Sequence, residues 1–190
     1  MALLTITELI DIVIMTVIVG YIFSGVFKRP VAENYDPLTH FSSRFNFDDL
    51  KFAAMITAPA IILHELSHKF VALGFGLNAQ FQAAWFFLFL GLILKIMNFG
   101  FIFFVPAYVS ILGNATPLES GLIAFAGPGM NLILWLLAAF AVKKNLFEGK
   151  YNSALTLTSK INMFLFIFNM VPIPGFDGSK VFSGLIQAIL

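Results

Sequence analysis

The sequence predicts an α-helical polytopic membrane protein of one domain, residues 1–190, with about four full transmembrane helices, a re-entrant or β-rich membrane-associated segment over about 79–119, and a short C-terminal helix. Three observations predict it. Hydrophobic residues make up 59% of the chain and charged residues 11%, with Phe occurring 24 times; a soluble domain holds roughly 45–50% apolar and about 25% charged residues. Several apolar runs approach the ~20 residues that a helix needs to cross a bilayer. Between the second and third of these runs the chain turns aromatic and β-branched, a composition that favours strand.

The same composition excludes other classes. The formal net charge is +1 and no run of bases reads as a nucleic-acid patch. The chain has no cysteine, so disulfides and thiolate ligands are ruled out. A transition-metal site would have to use imidazole and carboxylate.

The first element is Leu9–Phe27, closed by Lys28-Arg29-Pro30. The residues that open the chain, "MALLTITELID", carry acids and no bases, unlike a cleaved signal peptide, so the run reads as a retained helix. It adds residues 1–27 to a core of about 49–180. Residues 28–49 form a polar connector with Pro30 and Pro37, expected as an exposed loop in which His40 is solvated. The second helix is Asp49–Leu73; Asp48 and Asp49 suit the positive end of its dipole, and Gly74 and Gly76 punctuate its end.

Residues 83–98 are apolar but short and are interrupted by Lys95, while 99–112 reads as strand. Non-helical backbone at membrane depth must be shielded by protein or line a wet cavity, which suggests a small sheet or a re-entrant loop. The third helix, Gly121–Val142, ends before Lys143-Lys144, and the fourth, Ala154–Val171, ends at "NMVPIPGFDG" (169–178). The prolines and glycines there force irregular backbone. The last piece, Asp177–Leu190, is amphipathic and too short to span.

Chemistry concentrates in "IILHELSHKF" (61–70). His64 and His68 are four apart, which sets both imidazoles on one helix face. Glu65 sits beside the first. In the H-E-x-x-H pattern, two histidines bind Zn²⁺ and the glutamate is the general base. Burying all three on an apolar helix costs free energy that a bound dication offsets. A catalytic zinc usually takes a third protein ligand and keeps one open position. Most other acids, Glu8 and Asp11 among them, lie in loops or at helix ends away from the motif. Asp177 follows an apolar helix within "PIPGFDGSK" and reads either as that third ligand or as a helix N-cap. Ser67, Ser179 and Lys180 are candidates for lining a water path, or for facing a neighbouring helix.

"HELSH" (64–68), "AGPGMN" (126–131) and "NMVPIPGFDG" (169–178) together resemble, in the same order, the signature blocks of the site-2 protease family of intramembrane zinc metalloproteases. The likeness covers about residues 50–180 and is that of a compact core member, with no counterpart of appended PDZ or CBS domains. "PAYVS" (106–110) is similar to the family's strand-rich stretch. The resemblance implies one catalytic Zn²⁺ held by His64, His68 and Asp177, with Glu65 as base. It also implies that Asn131 and Asn169 assist substrate or intermediate; helix–helix hydrogen bonding is the other reading of both. Phe176 stands where the family usually has Leu.

The implied activity is cleavage of peptide bonds within or next to transmembrane segments of membrane-protein substrates. The implied setting is a multi-pass protein of the cell membrane. Its partners would be a transmembrane protein or peptide and the lipid bilayer, with no nucleic acid and with homo-oligomerisation left open. The alternatives are a non-proteolytic metal-binding scaffold or a metal transporter. A further rival is the zinc protease type that trims prenylated proteins, which takes a Glu as third ligand; here Glu119 and Glu148 both lie near loops.

The zinc reading makes a geometric demand. Asp177 can join His64 and His68 only if residues 74–120 cross the membrane an even number of times. The third and fourth helices supply two crossings, so a lone span over 83–98 would part the ligands by most of a ~30 Å core. Orientation is contested. Lys and Arg in 28–51 and 143–160 place those loops in the cytosol, whereas the resemblance places the zinc toward the cytosol. A substrate helix must unwind before cleavage, and strand addition to 99–111 would hold it open.

Overall fold

The structure, a computed structural model, describes residues 3–27, 46–99 and 105–190. The connector over 28–45 with His40, and residues 100–104 of the expected strand, lie outside the described residues.

Helix α1 spans Ile6–Phe23 and starts before the expected Leu9 because Thr5 and Glu8 form a capping box. Helix α2 spans Phe47–Gly74, with Asn46 accepting from the Asp48 amide and both Asp48 and Asp49 in its first turn. Its 28 residues reach about 42 Å, more than a bilayer core requires.

Strand β1 (Asn78–Ala83), helix α3 (Trp85–Ile96) and strand β2 (Ala107–Leu112) follow. The strands pair antiparallel from Asn78↔Leu112 to Ala83↔Ala107, and the Ala84 amide donates to the Pro106 carbonyl. The segment therefore returns beside its own starting point, as an even number of crossings requires. Helix α3, with 12 residues, is about 18 Å long and cannot cross a ~30 Å core.

Helix α4 (Pro117–Lys143) opens with a second capping box, Thr116 and Glu119, and a proline in its first turn. Helices α5 (Lys150–Asn169) and α6 (Asp177–Ile189) complete the described chain. Among the described residues three helices are long and apolar enough to cross a membrane: α1, α2 and α4. The sequence led us to expect about four. Helix α5 forms where the fourth span was placed, but Asn152, Ser153, Thr156, Thr158, Lys160 and Asn162 dilute its apolar character.

Among the described residues two buried apolar clusters hold the assembly. Met15 and Val19 of α1 meet Phe81, Ala83, Leu88 and Ala107 of the hairpin region. Ala72 of α2, Leu77 and Ile123 of α4 form the other. At the far side, a Cβ on Gly184 would collide with Gly121 and with the Pro117 carbonyl, so α6 lies directly on α4. That close approach carries the first turn of α6 toward α2.

Candidate metal centre

One helical turn of α2 supplies two imidazoles on one face, and α6 supplies a carboxylate. The His64 and His68 Nε2 atoms lie 3.1 Å apart. Asp177 Oδ2 lies 3.2 Å from the first and 3.3 Å from the second. The three form a nearly equilateral triangle. A tetrahedral ion with bonds of ~2.0–2.1 Å separates its ligand atoms by about 3.3 Å, so the triangle is the size of one face of a zinc coordination sphere.

Tautomers strengthen the fit. His68 Nδ1 lies 2.7 Å from the Ile123 carbonyl, which can only accept, so Nδ1 carries the hydrogen. His64 Nδ1 lies 2.6 Å from Asn131 Oδ1. The Asn131 amide cannot be turned the other way, because its Nδ2 donates to the Ala60 carbonyl and to Asn162 Oδ1. Asn162 is fixed in turn by donating to the Thr158 carbonyl. In the neutral imidazoles both Nε2 atoms are therefore lone-pair acceptors, aimed at each other and at a carboxylate. Three converging acceptors call for a cation, and His64, His68 and Asp177 are the group that could hold a metal ion among the described residues.

Space for an ion is present as well. A Cβ on Gly127 of α4 would strike Nε2 of both histidines, so only glycine leaves that volume open. Pro128, next in the helix, removes one backbone donor and crowds the carbonyl four residues earlier. That loosening falls beside Ile123, whose carbonyl takes His68.

Asp177 is the first residue of α6; the N-cap is Phe176, and no side chain bonds at that cap. Its carboxylate is thus directed at the imidazoles rather than used as a cap. Gly178 permits this, since a Cβ there would hit the Met170 and Val171 carbonyls.

Glu65, 9% exposed, shares with the triad a cavity of about 420 Å³. Ala107, Val109 and Ile111 of β2 form one wall, and Asn169 and Lys180 reach it from α5 and α6. Asn169 Nδ2 donates to the Leu165 carbonyl of its own helix. Asn131 is fully buried behind His64 and acts on that ring. Ser67 and Ser179 spend their hydroxyls on Leu63 and Phe176 carbonyls, whereas Lys180 lines the cavity.

Sequence reasoning missed Asn162, Gly127 and the Ile123 carbonyl. Asn162 had a usable signal, a lone amide in "INMFLFIF" (161–168), which in an apolar helix needs a partner. It also set Glu8 and Asp11 apart from the motif. Glu8 in fact pairs with Lys69, the residue after His68.

No family model matches the chain, and no solved structure matches it. The chain is 36% identical, over 181 residues, to a protein of Methanocaldococcus jannaschii described as a putative zinc metalloprotease. The alignment covers 92% of this chain and 82% of that protein.

Proposed function

This chain belongs to the family of that zinc metalloprotease relative, and from this premise we propose that it is an intramembrane endopeptidase of the site-2 protease kind. One membrane-embedded domain, located in the cell membrane, cleaves peptide bonds within or next to the transmembrane segments of its substrates. The observation that carries the proposal is the convergence of His64 Nε2, His68 Nε2 and Asp177 Oδ2 within 3.3 Å of one another, in a cavity that also holds Glu65.

Those three side chains would hold one catalytic zinc, which when bound supplies Lewis acidity toward the scissile carbonyl and toward water. Glu65 takes the proton of the attacking water and returns it to the leaving amine. Asn131 keeps His64 in the tautomer that leaves Nε2 free. Asn169, at the cavity wall, would donate its remaining amide hydrogen to the substrate backbone or to the developing oxyanion.

An extended substrate fits the edge of β2. In an antiparallel pair, backbone groups point alternately toward and away from the partner. Ala84 bonds Pro106, while the Phe81 and Ala83 amides point away from β2. The register then turns the backbone groups of Ala107, Val109 and Ile111 outward. All three residues line the cavity, and no third strand pairs with β2 among the described residues. Strand addition there would hold an unwound segment beside Glu65.

The test is Glu65→Gln in purified protein, assayed on a single-span peptide with parallel metal analysis. Cleavage is expected to fall about 10³-fold with one zinc still bound per chain. Wild-type protein that binds zinc and never hydrolyses peptide would point to the scaffold instead.

A further inference from the structure

Helix α1 carries a structure that the protease reading leaves unused. Glu8, 1% exposed, has both oxygens occupied. Oε2 accepts from the Thr5 amide at 2.7 Å and from the Thr5 hydroxyl at 3.0 Å. Oε1 accepts from the Phe81 amide of β1 at 2.7 Å and pairs with Lys69, itself 1% exposed. One turn later, Asp11 Oδ2 accepts from the Ala83 amide at 3.0 Å.

The spacing explains the match. Residues three apart on a helix set their Cβ atoms about 5–6 Å apart. Amides two apart on a strand repeat every ~6.6 Å along one edge. Two carboxylates of α1 can therefore meet two successive outward amides of β1, as a third strand's carbonyls would. A two-stranded hairpin is marginal by itself, and an open edge invites a second strand.

We infer that Glu8 and Asp11 are positioning residues for substrate: they close the outer edge of β1, so that the sheet offers only the β2 edge over the metal cavity to an extended peptide. Lys69 ties the same carboxylate to α2 beside His68, which sets the sheet's height against the metal ligands. The inference rests on the protease reading of the cavity. It concerns α1, which lies outside the stretch that resembles the site-2 proteases.

Asp11 is the residue to test, because it is half-buried and its loss does not strand Lys69. The probe is a fluorescein-labelled single-span peptide with an Asn-Gly pair at its centre, in dodecyl maltoside micelles. Its affinity is measured on Glu65→Gln protein, alone and combined with Asp11→Ala or Asp11→Asn, together with hydrogen exchange and zinc content. Asp11→Ala is expected to weaken peptide binding about tenfold, the worth of one charge-assisted hydrogen bond. Exchange over residues 78–83 and 107–112 should quicken with it, and zinc content should not change. Asp11→Asn keeps an acceptor oxygen and should stay close to the parent. Unchanged affinity in Asp11→Ala overturns the inference, with or without faster exchange, as does a parent that never binds the peptide. Failure of the protease reading shows separately, as wild-type protein that binds this peptide and leaves it uncut.

Discussion

His68 and Lys69 are consecutive in α2, yet they serve two different buried clusters. On one side Lys69 meets Glu8; on the other, His68 meets His64 and Asp177. Burial hardly distinguishes the groups on α1 and α2, since Glu8, Lys69, His64 and His68 are all less than 10% exposed, although the Asp177 side chain is 21% exposed. Donor–acceptor balance does. Around Glu8 every acceptor finds a donor from the chain: an ammonium, two amides and a hydroxyl. Around Asp177 three acceptors converge, and among the described residues no Lys or Arg pairs with them. The first cluster is closed by the protein; the second is a group that could hold a metal ion.

The largest effect expected from this contrast belongs to the closed cluster. Glu8→Ala leaves a buried ammonium without a partner and should cost about 3–5 kcal/mol of stability, read as a drop in unfolding midpoint in detergent. Zinc stoichiometry in the folded fraction should stay at one. A variant as stable as wild type would break the contrast.

Asp177→Ala acts on the open cluster. It should remove one ligand's share of a binding free energy of ~10–16 kcal/mol, about 3–4 kcal/mol, measured as zinc affinity by chelator competition. Retained zinc would show that the ion sits elsewhere.

Asn162→Ala tests the supports of the centre. Asn131 then loses the partner that keeps its oxygen toward His64, and zinc affinity should fall about 10–100-fold while the fold persists. No change in affinity would mean that the Ala60 carbonyl alone orients Asn131.

The smallest effect sharpens the contrast. Glu8→Leu combined with Lys69→Met replaces the ion pair by apolar groups and leaves the Phe81 and Thr5 amides without their acceptor, and it should cost about 1–2 kcal/mol, less than Glu8→Ala. A deficit as large as that of Glu8→Ala would assign the stabilisation to the Phe81 and Thr5 bonds instead.

Much of the site was legible in the residues because its logic is local. The His64–Glu65–His68 spacing needs only a helix, and an apolar helix cannot carry those groups without a partner. Asp177 was legible as a candidate from the irregular backbone around it, although its competing role as a cap was settled only by Phe176 occupying that position. The even-crossing requirement anticipated the returning hairpin. Strand β1, "NAQFQA", fell within the segment expected to be re-entrant or β-rich but was not singled out as a strand, since it lacks the β-branched residues that mark one and gains its stability from β2 and from α1. Helix α5 was read as a span because its apolar residues outnumber its polar ones. Its amides turn inward: Asn162 is fully buried against Asn131.

The sequence by itself determined the apolar helices and the spacing of two imidazoles on one helix face. Each of these depends on residues within a few positions of one another. Only the tertiary structure decided which acid reaches those imidazoles across 113 positions, which amide selects a tautomer across 67, and which carboxylate closes a sheet edge across 73. Such pairings depend on how helices pack, and packing is set by Gly178 and Gly184, where backbones come too close for any side chain, and by Gly127, where a Cβ would strike the two imidazoles.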